Sequence, residues 1–116
     1  SHPLRSVINS LNFNAAGTFN YKVIITFRYM FYVYILKSER FLRSYVGYTN
    51  DLAARLKEHN KGSVNATKHL KPWSVIYTES YEDISEAKQR ELYWKSGAGR
   101  RKLKKCFRSG FPPAQI

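Results

Sequence analysis

Hydrophobic and polar positions alternate in some stretches of this chain and recur every three to four residues in others. In "YKVIITFRY", residues 21 to 29, Tyr21, Val23, Ile25, Phe27 and Tyr29 share one face, which predicts a strand. "MFYVYILKS" reads as a second strand, "ERFLR" as a loop and "SYVGYT" as a strand closing a hairpin. Thr49 or Asn50 can cap the helix that follows, and Asn60 to Gly62 can end it. "SVNATKHLKP" is a polar, basic loop, and "WSVIYTESY" is a strand whose start is marked by Pro72. Asp83 with Glu86 forms a capping box, which opens a helix over "DISEAKQRELYWKS" that stops near Gly97 and Gly99. Residues 99–108 are a short basic helix or tail, and Pro112 and Pro113 exclude a helix from "GFPPAQI". The order strand, strand, helix, strand, helix, helix predicts an α+β fold, a small three-stranded antiparallel sheet flanked by helices.

A length of 116 residues fits one domain with one modest core. The single methionine, Met30, stands immediately before the hairpin. The expected division is therefore an N-terminal extension over 1–29 that the domain does not require, a domain over 30–108 and a tail over 109–116. The longest apolar run, "VIITFRYMFYVYIL", is broken by Arg28 and too short to cross a bilayer as a helix, so no membrane partner is expected. No basic, apolar, small-residue order of a secretory signal opens the chain. A lone cysteine, Cys106, excludes an internal disulfide, and three histidines far apart leave no structural zinc cluster. The default is a reducing cytoplasm.

Charge narrows the partner. Twenty basic against 8 acidic residues give a net charge of +12, which points to a polyanion, foremost nucleic acid, against the plainer alternative of a solvated basic surface. The candidate phosphate contacts are Lys68 and Lys71 in the loop, with Arg100, Arg101, Lys104 and Lys105 near the C-terminus.

Three features break the apolar patterns. On a wheel with Leu52 at zero, Leu56 falls at about 40°, His59 at about −20° and Arg55 at about −60°. Arg55 and His59 therefore edge the buried stripe, where a guanidinium suits a phosphate in a cleft between helix and sheet. The alternatives are an Arg55 pair with Asp51 and a His59 that is merely packed or capping. In the second helix Ile84, Ala87 and Trp94 form the stripe, yet the position seven after Ile84 is Glu91. A carboxylate there needs a cation, a donor or a metal, unless it swings out to Lys95. Tyr32 and Tyr34 share a strand face, with Tyr45 across the hairpin, and Gly47 within a strand marks the close approach of a backbone or ligand.

"YVY" at 32–34, "YVG" at 45–47, then "TNDLAARLKEHNKG", "KPWSVIYTES" and "SEAKQRE" together resemble the GIY-YIG nuclease superfamily, in particular its small stand-alone bacterial members. The resemblance runs from about Met30 to Lys105. It implies that Tyr34 and Tyr45 are the two motif tyrosines, orienting or deprotonating the attacking water. It implies too that Arg55 contacts the scissile phosphate, that His59 has an acid-base or positioning role, and that Glu91 is the single metal ligand, holding Mg²⁺ or Mn²⁺. Two positions depart from the family pattern: Tyr32 replaces the first motif's glycine, and "SGAGRRKLKK" stands where many relatives carry an asparagine.

The expected function is a metal-dependent DNA endonuclease of low sequence specificity, in DNA repair or processing, with RNA and the oligomeric state left open. No second acidic residue is placed beside Glu91, so one metal is expected rather than two. The alternative is a non-catalytic basic module that binds nucleic acid on the same fold.

Overall fold

The computed structural model describes residues 30–113, so the strand expected over 21–29 lies outside the described residues. Strands β1 (Phe31–Ser38), β2 (Ser44–Thr49) and β3 (Trp73–Tyr81) form an antiparallel sheet in the order β2-β1-β3. β1 takes the centre because it is apolar on both faces. Val33, Tyr34, Ile35 and Leu36 are consecutive and all buried, which an edge strand with one wet face would not allow.

Each face of β1 gathers its own core. Val33 and Ile35 pack with Val46, Tyr77, Ala87, Trp94 and Leu103, whereas Tyr34 and Leu36 pack with Trp73 against Leu52, Leu56 and Leu70. Helix α1 (Leu52–Lys61) therefore covers the Tyr34 face, and helices α2 (Ile84–Lys95) and α3 (Gly97–Ser109) cover the other.

β3 serves both cores because of a bulge. Ile35 pairs with Tyr77 but Leu36 pairs with Val75, so Ile76 has no residue opposite it. The extra residue reverses the alternation. Trp73 and Val75 face α1, while Tyr77, Glu79 and Tyr81, in register with Ile35, Val33 and Phe31, face α2.

Several boundaries differ from the sequence reading. The N-cap of α1 is Asp51 rather than Thr49 or Asn50. Its carboxylate accepts from the Ala54 amide at 3.1 Å, while Thr49 Oγ1 in turn accepts from the Asp51 amide. Gly62 closes α1 in the left-handed region, at φ 90°. Asp83 caps α2 as expected, through the Ser85 amide, but among the described residues Glu86 does not return a bond to complete the box. Ile84 does not join the stripe. It is the first residue of α2, only three residues beyond the end of β3, and 39% exposed; the buried stripe begins at Ala87.

α2 stops at Lys95, beside Gly97 as expected, and of the helix or tail expected over 99–108 the structure has a helix, which already opens at Gly97 and runs 13 residues as α3. Ser96 ends α2 and caps α3, its hydroxyl accepting from the Gly99 amide at 3.2 Å. A Cβ on Gly99 would overlap the Tyr93 carbonyl and sit 2.6 Å from Trp94 Cα, so glycine is what lets the two helices cross this closely. Among the described residues, no helix is long and apolar enough to cross a membrane.

Candidate active site

Tyr34 is the hub. It stands in the central strand with its ring lying over Gly47 of β2, its partner in register. A Cβ at position 47 would be 2.5 Å from the Tyr34 hydroxyl oxygen and 2.6 Å from Cζ. The close approach expected at Gly47 is thus made by Tyr34 itself, and any side chain there would displace the phenol.

Two α1 side chains meet this hydroxyl. His59 Nε2 lies 2.9 Å from it, and Arg55 Nε donates to it at 3.4 Å. His59 sits deeper than the wheel predicts: it is the buried residue of α1, with no exposed surface, whereas Leu52 and Leu56 are only half-buried. An imidazole can replace leucine there because both its nitrogens are bonded. Nδ1 lies 2.7 Å from Thr67 Oγ1.

Thr67 decides which nitrogen carries the proton. Its hydroxyl also reaches the Val64 carbonyl at 3.4 Å, and a carbonyl can only accept. With its proton directed there, Thr67 offers a lone pair to Nδ1–H, and Nε2 faces Tyr34 as an acceptor. The loop bearing Thr67 is held on β3, since the Trp73 indole donates to the Thr67 carbonyl at 3.0 Å and Asn60 binds both backbone groups of Trp73. Nothing in the pattern of "SVNATKHLKP" singles out Thr67; its role depends on a contact with a helix eight residues earlier.

Arg55 does not pair with Asp51, whose carboxylate is taken by the helix cap. Its Nη1 binds Glu58 at 3.0 Å instead. With Nε on Tyr34 and Nη1 on Glu58, Nη2 is the nitrogen without a partner among the described residues. The hydrogen bonds to Tyr34 and Glu58 keep the guanidinium firmly protonated.

The fourth and fifth members come from the edge of the sheet. The Tyr45 ring is 6.3 Å from that of Tyr34 and 4.9 Å from that of His59. Lys95 of α2 brings Nζ to 5.7 Å from the Tyr45 ring centre, and Glu91, one turn earlier, binds Lys95 at 3.4 Å. Tyr45 faces α1 whereas α2 covers the opposite face, so the two meet around the edge strand β2. The Glu91–Lys95 pair weighed in the sequence is present, and Glu91 is nonetheless close enough for its charge to act on Tyr34.

Tyr34, Tyr45, Arg55 and His59 therefore converge, and Glu91, bonded to Lys95 rather than to any of the four, adds its charge from α2 across the edge of the sheet. The basic candidates lie elsewhere: Lys68 and Lys71 are exposed on the loop that carries Thr67, while Arg100, Arg101, Lys104 and Lys105 are exposed on α3, whose Leu103 and Cys106 face inward. Tyr32 shares the Tyr34 face, in register with Thr49.

Burial raises the Tyr34 phenol above its ordinary pKa, Tyr45 and Glu91 push the same way, and Arg55 opposes them. Burial lowers the His59 imidazole, helped by the Arg55 charge and opposed by Glu58. At neutral pH the site thus holds a protonated phenol beside a neutral imidazole.

Among the described residues no three His, Cys, Asp or Glu side chains converge as a cage for a metal. The donor set still fits magnesium, which keeps most of its waters and takes one carboxylate together with substrate phosphate oxygens. Glu91 would be that carboxylate, since its one partner, Lys95, is exposed and 3.4 Å away, and can turn to solvent as a cation takes its place.

A family model described as the GIY-YIG catalytic domain matches residues 30–104. The UPF0213 protein YazA of Bacillus subtilis is 41% identical over 71 residues, covering 60% of this chain and 69% of its own. A UPF0213 protein of Clostridium perfringens is 40% identical over 75 residues, covering 64% and 80%. Among solved structures, the solution NMR structure of UPF0213 protein BH0048 from Bacillus halodurans is 30% identical and covers 72% of this chain and 88% of that one, with a TM-score of 0.44.

Proposed function

The chain belongs to the GIY-YIG catalytic domain family, a nuclease-type family, and on that premise we propose that it is a metal-dependent endonuclease. It hydrolyses phosphodiester bonds in DNA with low sequence specificity, in DNA repair or processing in the cytoplasm. The observation that carries this reading is the Tyr34 hydroxyl, shared by Arg55 and His59 within reach of the Glu91 charge.

Each side chain has a defined task. Arg55 directs Nη2 to a phosphate oxygen and stabilises the charge that grows there. Tyr34 takes a proton from the attacking water while passing its own to His59 Nε2, which Thr67 keeps free to accept. This relay overcomes the raised pKa of Tyr34, because the phenol never has to stand as a free phenolate. Tyr45 walls the cleft and holds the imidazole edge. A magnesium or manganese ion held by Glu91 would supply positive charge to the phosphate and the leaving oxygen. Lys68, Lys71 and the basic face of α3 add attraction to the backbone beyond the cleft.

The alternative, a clamp that binds without cleaving, is favoured by one feature, the Glu91–Lys95 pair. Glu91→Gln separates the two. On nicked, bulged and branched DNA with and without Mg²⁺, the substitution should slow cleavage on the order of 10³-fold, the scale of a lost transition-state charge contact. Binding should hold or tighten slightly, because a carboxylate near phosphates is gone. Parental cleavage rates in the Gln variant at saturating Mg²⁺ would rule the enzyme out.

A further inference from the structure

Leu42, at the tip of the β1–β2 hairpin, is 93% exposed, and its neighbour Phe41 is 44% exposed. They stand between Arg40 and Arg43, both exposed, and the Arg40 guanidinium lies 5.2 Å from the Phe41 ring centre. Folding gains nothing from an apolar tip held in water, so its use lies outside the domain.

The tip is also built rather than loose. Ser38, fully buried, accepts at Oγ from the amides of both Arg40 and Phe41 at 3.1 Å and donates to the Leu70 carbonyl at 2.6 Å. The Ser38 amide binds the Arg43 carbonyl, and the Glu39 amide binds the Pro72 carbonyl. The tip's one carboxylate, Glu39, is turned away to Ser74 Oγ at 2.7 Å. What remains presented outward is two apolar side chains flanked by two cations.

We propose that this tip is a wedge that enters the base stack of duplex DNA, and that the substrate class of the cleft is therefore duplex with an interrupted stack, such as a bulge or mismatch. The inference rests on the nuclease reading above. Charge selects the occupant: arginines on both flanks, with the carboxylate withdrawn, suit two phosphate strands on either side of an inserted apolar group. Position fits too. Leu42 lies three residues before Tyr45, a span of at most about 11 Å, or about three base-pair steps at ~3.4 Å each. Opening an intact stack costs energy, so a site already unstacked binds better.

The experiment compares a short, fully paired duplex with the same sequence carrying a two-nucleotide bulge, in EDTA so that only binding is read. The parental chain should bind the bulged duplex roughly tenfold more tightly, as one stacked side chain allows. The double substitution Phe41→Ala, Leu42→Ala, on an exposed tip, should bind both alike, with its melting temperature, paired-duplex affinity and salt slope unchanged. A variant that keeps the preference, or a parental chain that has none, overturns the wedge while leaving the nuclease reading intact. A parental chain that binds neither duplex overturns both. A parental dimer that the substitutions convert to a monomer makes the tip a self-association face and overturns the wedge alone.

Discussion

Two buried polar clusters lie back to back on the same sheet, and only one of them is open to chemistry. On the α2 face, the Glu79 carboxylate, 2% exposed, receives Tyr77 and Tyr81 hydroxyls at 2.9 and 2.8 Å, both arms of Arg90 at 3.0 and 2.8 Å, and the Trp94 indole at 3.3 Å. Its charge is matched within the fold and its oxygens are fully engaged. On the α1 face, Tyr34 and His59 are as deeply buried, but the Arg55 that binds the Tyr34 hydroxyl has a spare nitrogen, and Glu91, around the edge strand on α2, has only an exposed lysine. Both clusters contain arginine, glutamate and tyrosine. Residue type does not distinguish the site from the scaffold; the unfilled valence does.

Breaking the closed cluster should give the largest loss of stability with no special effect on chemistry. Glu79→Ala strands two phenols, an indole and a guanidinium. It should cost about 3 kcal/mol, the low end for a broken buried pair because Arg90 reaches water. Chemical denaturation measures it, and a loss under about 1 kcal/mol would mean the network is not structural.

Breaking the open cluster should reverse that balance. Tyr34→Phe removes one hydroxyl and leaves His59 Nε2 without its partner, at a stability cost of about 1 kcal/mol. Single-turnover cleavage should fall about 100-fold, the lower range for a lost proton-transfer group, while DNA affinity changes little. Activity within a few-fold of the parental chain would remove Tyr34 from the relay.

The two clusters were not equally legible in the sequence. Arg55 and Glu91 stood out because each broke an apolar stripe, and a stripe is a local pattern that a helix preserves. The helical wheel puts His59 at the stripe's edge, but its contact with Thr67, on a loop of no period, draws it into the core. Glu79 also interrupts an apolar face, but nothing in the strand says what neutralises it. In "WSVIYTESY" strict alternation puts Trp73, Val75, Tyr77, Glu79 and Tyr81 on one face, and only the bulge at Ile76 divides them between two cores. That bulge is set by pairing with β1, and the arginine that neutralises Glu79 is supplied by α2, so both causes are non-local. Spacing nominates Ile84 for the stripe, but spacing does not say where the sheet ends beneath a helix, and Ile84 lies at that end.

The smallest expected effect separates the clusters by pH. His59 is held below its ordinary pKa of about 6.5, foremost by burial and then by the Arg55 charge. An unfolded chain therefore binds a proton at His59 as pH falls through that value, before the folded chain does. The stability this group contributes is fully present above about pH 6.5 and declines below it. Glu79 behaves alike in a lower window. Burial alone would raise its pKa, but the bonds from Arg90, Tyr81 and Tyr77 outweigh that and hold it below the ordinary carboxylate value of 4.5. Its contribution is complete above about pH 4.5 and is lost only in more acid solution. Unfolding free energy measured from pH 7.5 downward should thus decline in two steps, the upper from the open cluster and the lower from the closed cluster. His59→Gln, which cannot titrate, should erase the upper step and leave the lower. A parental profile flat between pH 7.5 and 5 would mean that His59 is not held neutral in the fold, and the proton acceptor assigned to Tyr34 would be lost with it.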